Sequence, residues 1–136
     1  MTPYTGGCLC GGVRYKVSEP PTHTFYCHCT DCQKETGGPF ASEIFVRAEA
    51  VSVTGAMDYY DVIGDSGKRV RRERCHRCGS PLVTEFDSDP TFICIKACSL
   101  DDASGLAPAC HLYVKSKQPW DAISDGLPQY QGDMEW

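Results

Sequence analysis

No stretch of this sequence stays apolar long enough to cross a bilayer, which takes about 20 consecutive apolar residues. Its longest runs, such as Thr91-Phe92-Ile93-Cys94-Ile95, stop after a few. The opening Met1-Thr2-Pro3-Tyr4-Thr5-Gly6-Gly7 shows no basic patch ahead of an apolar stretch, so no secretory signal and no membrane partner are expected, and the expected compartment is the cytoplasm. Positive charge is also scarce. Thirteen Lys and Arg against 18 Asp and Glu leave a net charge of -5, the wrong sign for a nucleic-acid partner. The one basic run, Lys68-Arg69-Val70-Arg71-Arg72-Glu73-Arg74, reads as the solvated face of a strand in preference to an anion site. Internal repeats and long linkers are missing too, which predicts a single domain over 1–136.

Helical periodicity is nearly absent. Only residues 31–36 invite a helix, a short one capped by Thr30 or Asp31 and stopped by Gly37-Gly38. The rest reads as short strands between turns: residues 13–17, 22–26, 43–46, 51–53, 59–63, 69–74, 82–86, 92–96 and 111–114. The prediction is a mainly β domain of short antiparallel strands with few or no helices. The tail, residues 119–136, is expected to pack across the body.

Cysteine, by contrast, is abundant: there are 10 in 136 residues. In a chain kept in a reducing compartment such a count points to metal or catalysis instead of disulfides. Cys75-x-x-Cys78-Gly79 is a zinc-knuckle spacing, with a glycine that frees backbone amides to turn toward the thiolates. Cys8-x-Cys10-Gly11-Gly12 is its natural partner, since residues i and i+2 of an extended chain face one side. Together they predict a closed four-thiolate zinc site.

Cys27-His28-Cys29-Thr30-Asp31-Cys32 is different. Cys27 and Cys29 face one side, Cys32 returns one turn later, and no fourth thiolate is at hand. A zinc with three protein ligands keeps a position open for water or substrate, the mark of a catalytic site. Cys27, Cys29 and Cys32 are therefore the candidate catalytic residues, and two Zn2+ per chain are expected, one structural and one catalytic. His28 is a rival fourth ligand on the wrong face of the strand, and Cys98 is a second rival. His76 reads as a spacer facing solvent and His111 as a satisfied strand histidine. Cys94 and Cys110 read as small core residues.

The ordered set of motifs resembles the glutathione-dependent formaldehyde-activating family, which includes the centromere protein V relatives. The resemblance is carried by Gly7-Cys8-Leu9-Cys10-Gly11-Gly12-Val13-Arg14-Tyr15, by Cys27-His28-Cys29-x-x-Cys32-Gln33-Lys34, and by Cys75-x-x-Cys78-Gly79-Ser80-Pro81-Leu82. Ser99-Leu100-Asp101-Asp102 and the segment from Pro108 to Pro128 extend it. The resemblance implies a β-tent fold, a structural zinc at Cys8, Cys10, Cys75 and Cys78, and a catalytic zinc at Cys27, Cys29 and Cys32. It also implies a carbon–sulfur lyase or synthase activity joining formaldehyde to the thiol of glutathione, as S-(hydroxymethyl)glutathione synthase does. A non-catalytic thiol carrier or protein-interaction module on the same fold is the alternative. A tripeptide thiol would need cationic anchors, for which Lys34, Arg47 and Arg71 are candidates.

Overall fold

The computed structural model of the protein describes residues 3–134. Its strands are β1 (Tyr4–Gly7), β2 (Arg14–Val17), β3 (His23–Cys27), β4 (Ala41–Arg47), β5 (Val51–Thr54), β6 (Met57–Ile63), β7 (Arg69–Cys75), β8 (Pro81–Phe86), β9 (Phe92–Lys96) and β10 (His111–Leu112). Among the described residues a single α-helix, α1 (Thr30–Thr36), lies between β3 and β4, and three 3-10 turns occupy Ala48–Ala50, Ala97–Ser99 and Val114–Ser116. The strands form a small sheet in the order β1-β2-β5 and a seven-stranded sheet in the order β10-β3-β4-β9-β8-β7-β6. The architecture is mainly β, as the turn-rich sequence predicts. All pairings between named strands are antiparallel except that of β10 with β3, which is parallel.

Alternation along the strands fixes which face carries what. In β2 every second residue points inward, so Tyr15 and Val17 are buried while Arg14 and Lys16 are exposed. With Val13 they meet Ile44, Val46, Ile93, Ile95, Leu82 and Val83 from one face of the large sheet. That is the main core, where each fully buried aliphatic side chain contributes about 1.5–3 kcal/mol. The opposite face carries a second cluster containing Phe25, Phe45, Cys94 and Leu112. Strand β9 lies between the two and is buried on both sides, which explains why its sequence is apolar without alternation.

Three differences from the sequence reading have local causes. Strand β1 runs through Gly6 and Gly7, residues that disfavour strands. A Cβ at Gly6 would lie 2.3 Å from Tyr15 Oη and 2.5 Å from Ser99 O, so only glycine lets β1 close on β2. Helix α1 is capped neither by Thr30 nor by Asp31: Cys29 is the cap, its Sγ accepting from Cys32 N, and Gly37 ends the helix at φ 75°. The last strand stops at Leu112, because Tyr113 takes a left-handed conformation, φ 56°, and the chain turns. The tail does fold back: His111 N donates to Pro128 O and Tyr130 N to His111 O. Trp120 nevertheless stays 73% exposed. Residues 1–2 and 135–136 lie outside the described residues, and with them those parts of the expectations for the N-terminus and the tail.

Candidate metal and active site

The thiol-bearing segments meet in two places. Cys8 and Cys10 follow β1; Cys75 ends β7, just past a bulge between Glu73 and Arg74, and Cys78 lies in the turn to β8. Their four Sγ atoms lie within 4.8 Å of one another. Cys8 Sγ is 3.5 Å from Cys10 Sγ, and Cys10 Sγ is 3.8 Å from Cys75 Sγ. A tetrahedron with metal–sulfur bonds of about 2.3 Å has edges of about 3.8 Å, so the donor set fits such an ion.

The backbone is arranged for thiolates. Val13 N donates to Cys8 Sγ, Gly12 N to Cys10 Sγ, and Arg77 N and Cys78 N to Cys75 Sγ, at 3.2–3.4 Å. Gly79 makes this turn possible with φ +77°. The Ser80 hydroxyl, 3.2 Å from Cys78 Sγ, leads the interactions that hold Cys78 down at about 5. This set can hold a metal ion and is closed by its own four sulfurs.

The second set is Cys27 at the end of β3, Cys29 at the helix cap and Cys32 in the first turn of α1. Their Sγ atoms also lie within 4.8 Å of one another. Donation from the Cys27 and Cys32 thiols, then from Cys32 N and the nearby Arg72 charge, holds Cys29 down at about 2. Cys27 is pushed up by its two sulfur neighbours and by burial. Three sulfurs sharing charge in this way suit a cation, and the donor set is one short of a tetrahedron.

His28 is fully buried and turns away from the sulfurs. Its Nε2 lies 2.8 Å from His111 Nδ1, and His111 Nε2 lies 2.7 Å from Asp125 Oδ2. His28 Nδ1 faces Asp121 Oδ2 at 3.4 Å. Burial, with His111 adding to it, lowers the His28 pKa. Gln33 completes the brace: its Nε2 donates to His28 O and Ser116 O, and its Oε1 accepts from Gln118 Nε2. The loop bearing the three cysteines is thus held from behind by α1 and by the segment after β10. Cys98 is exposed and lies outside both sets. Cys94 and Cys110 are buried, as read from the sequence, and His76 is exposed.

A cavity of about 300 Å³ opens against the three cysteines. Phe25, Phe45, Phe86 and Leu112 form its apolar wall. Across its floor Arg72, Thr84, Cys94 and Phe45 stand side by side on β7, β8, β9 and β4. Arg72 Nη1 is 3.7 Å from Cys32 Sγ and 2.8 Å from Glu35 Oε1. Glu35 Oε1 lies 3.1 Å from Lys96 Nζ, which lies 2.8 Å from Glu43 Oε1. Two cations and two carboxylates therefore form one buried chain beside the sulfurs.

None of these four residues is read as functional from the sequence, and the solvated-face reading fails for Arg72. The available signal is parity: Arg72 shares the inward side of β7 with Val70. The three candidate anchors lie elsewhere. Arg47 pairs with Glu19 and Glu49, Arg71 pairs with Asp61 and stacks on Tyr59, and Lys34 is exposed outside the cavity.

Comparison with known proteins places the chain in a family. A protein of Halomonas elongata, provisionally named a glutathione-dependent formaldehyde-activating enzyme, is 30% identical over 124 residues, covering 87% of this chain and 79% of its own length. A similarly named protein of Phaeosphaeria nodorum is 29% identical over 85 residues, 62% of this chain and 44% of its own. The crystal structure of a Rhodobacter sphaeroides protein shares the fold, with a TM-score of 0.58 at 22% identity over 76% of this chain and 91% of that one. The family model for the glutathione-dependent formaldehyde-activating enzyme matches residues 3–116, and the chain belongs to that family.

Proposed function

We propose that the protein makes and breaks the carbon–sulfur bond between a small thiol and formaldehyde or a similar small aldehyde, at the cavity bounded by Cys27, Cys29 and Cys32. In this reading both cysteine sets hold zinc, the four-thiolate set for folding and the three-thiolate set for chemistry. The carrying observation is the convergence of three thiolates, one donor short of a tetrahedron, on the wall of a cavity in a chain of this family. A zinc bound there supplies an open position that favours the thiolate form of an incoming thiol. Glutathione is the thiol in the names of the relatives.

The protein's own residues account for the rest. The new bond joins the thiol sulfur to the aldehyde carbon, and the thiol proton ends on the former carbonyl oxygen; the reverse reaction returns both, with no change in oxidation state. Thr84 Oγ1 is buried with no hydrogen-bond partner in the protein. The residue stands on the cavity floor beside Arg72, with this oxygen covered by its neighbours. Arg72 Nη1 bridges Cys32 Sγ and Glu35 Oε1 and so ties α1 to β7 beside the sulfurs. The apolar wall of phenylalanines limits water, which would otherwise compete for the aldehyde as its hydrate.

The test is exchange spectroscopy by NMR at equilibrium, with a series of thiols and formaldehyde, because it separates protein-driven exchange from the fast uncatalysed background. The expected result is faster exchange with the wild-type protein and none above background with Cys29→Ser. A thiol series that shows no acceleration would remove the activity and leave the two metal sites.

A further inference from the structure

Among the described residues Tyr113 is the one non-glycine at positive φ, 56°. For a bulky side chain that conformation is unfavourable and persists only where the surroundings enforce it. Here they do. Tyr113 N donates to Gly132 O, Val114 N to Tyr130 O and Ser116 N to Tyr113 O. Just before it, Leu112 lies opposite Cys27 of β3, and His28 N donates to Leu112 O at 2.9 Å. The turn therefore brings the Tyr113 ring to the end of β3. There it packs against the cluster that holds Cys27 and Cys32, and it lines the cavity.

A second observation is what the hydroxyl meets. Asp65, in the turn between β6 and β7, accepts its hydrogen bond. Strands β10 and β6 are opposite ends of the large sheet, so this contact bridges the cavity from one end of the sheet to the other. Asp65 is exposed, and the pair thus runs from the side of the sulfurs to solvent. Burial, then the Asp133 and Asp65 carboxylates, push Tyr113 above the ordinary tyrosine range, which keeps it a neutral O–H. The other donors in the lining are committed, covered or set in the rim. Arg72 is engaged by Cys32 and Glu35, Thr84 Oγ1 is covered, and Ser66 and Ser88 sit in exposed turns.

We propose that Tyr113 is a catalytic residue of the thiol–aldehyde reaction, the group whose hydroxyl meets the oxygen of the aldehyde and of its adduct, with Asp65 linking it to solvent. This rests on the thiol–aldehyde reading above and adds its proton path. In bond formation the thiol releases its proton to solvent, its sulfur attacks the carbonyl carbon, and the C=O π pair moves to oxygen. The Tyr113 O–H gives its proton to that oxygen, and a proton from solvent reaches Tyr113 Oη by way of Asp65. One proton leaves sulfur and one arrives on oxygen, so the sum is thiol plus aldehyde giving the hydroxymethyl adduct. Cleavage runs the same steps backwards, and Tyr113 is neutral before and after.

The experiment pairs exchange kinetics with a probe on the residue itself. Protein carrying carbon-13 at the tyrosine Cζ is prepared as wild type, Y113F and D65N, the Tyr113 signal being the one missing from Y113F. Glutathione, the thiol in the names of the relatives, is added alone and then with formaldehyde. The Tyr113 signal should move further when the adduct forms than with glutathione alone, because only the adduct carries the hydroxymethyl oxygen. A positioned acid–base group contributes about a hundredfold or more, so Y113F should lose about a hundredfold in exchange rate and D65N about tenfold. Both variants should still show the glutathione-induced shift of the Cys29 amide at wild-type concentrations and melt as cooperatively as wild type. A tyrosine that only supports the turn would change the melt and leave the rate per folded molecule intact. Folded Y113F exchanging at the wild-type rate, or a Tyr113 signal indifferent to the adduct, overturns the proposal and leaves the thiol–aldehyde activity standing. Wild-type protein that accelerates no exchange overturns that activity, and the catalytic role with it; a Tyr113 signal that still follows the adduct then marks a binding contact alone.

Discussion

Replacing Arg72 by methionine tests whether the buried ion chain beside the three cysteines is a structural unit. The side chains of Arg72 and Glu35 are only 14% and 13% exposed, and they meet at 2.8 Å. Breaking a buried pair by removing one partner costs about 3–5 kcal/mol when the other is left alone. Here Glu35 is not left alone, because Lys96 stays 3.1 Å away, and methionine keeps the apolar stem of the arginine. The expected loss is therefore smaller, about 2 kcal/mol, against a total stability of about 5–15 kcal/mol for a domain of this size. Urea unfolding of wild type, R72M, E35Q and the double variant gives the cycle. The two sites share one contact, so their coupling energy should be about 1–2 kcal/mol. R72M costing less than about 0.5 kcal/mol, with coupling near zero, would mean the chain is an exposed surface pair in energetic terms and the reasoning fails.

The two cysteine sets should part company under chelation: mild chelator should remove about one metal per chain from the three-cysteine set while circular dichroism stays native, and loss of both with unfolding would contradict the division. Cys75→Ser should lower the melting temperature severely, because the four-thiolate set joins two distant segments, whereas Cys29→Ser should melt close to wild type. Tyr15 is buried with its hydroxyl 2.6 Å from Ser99 Oγ, and burial pushes its pKa up to about 12. The folded protein then keeps a proton that the unfolded chain loses near pH 10, so stability should fall between about pH 10 and pH 12. Tyr15→Phe should cost about 1 kcal/mol at neutral pH through the lost hydrogen bond and should remove that part of the alkaline loss.

The sequence carries both cysteine sets in local form. Cys75-x-x-Cys78-Gly79 and Cys8-x-Cys10-Gly11-Gly12 each state two thiols at fixed spacing, and the structure brings these four together. Cys27, Cys29 and Cys32 are likewise legible because all three lie within six residues. Strand positions follow from alternation, and the one helix from Gly37-Gly38. What stays hidden depends on cross-strand register. Arg72 reaches Cys32 only because Arg72, Thr84 and Cys94 align across β7, β8 and β9; parity with Val70 turns it inward, but nothing in the basic run says what it meets there. Glu35, Glu43 and Lys96 come from three elements and form one network only after the sheet is assembled. The cap at Cys29 escapes for another reason: thiols are not ordinary helix caps, and this one serves because it also belongs to the sulfur cluster.

The four-thiolate set spans a long stretch of chain, Cys10 and Cys75 being 65 residues apart. During synthesis at about 5–20 residues per second, roughly 3–13 s pass between the emergence of the first pair and that of the second. For that interval Cys8 and Cys10 are a bare dithiol on a nascent hairpin, without the backbone that will later enclose them. Any oxidant or competing thiophilic ion present meets them at their most vulnerable. For the zinc-bound form proposed above, the yield of native protein is therefore tied to how quickly the ribosome delivers the Cys75–Cys78 turn, and to how much exchangeable metal is waiting when it arrives.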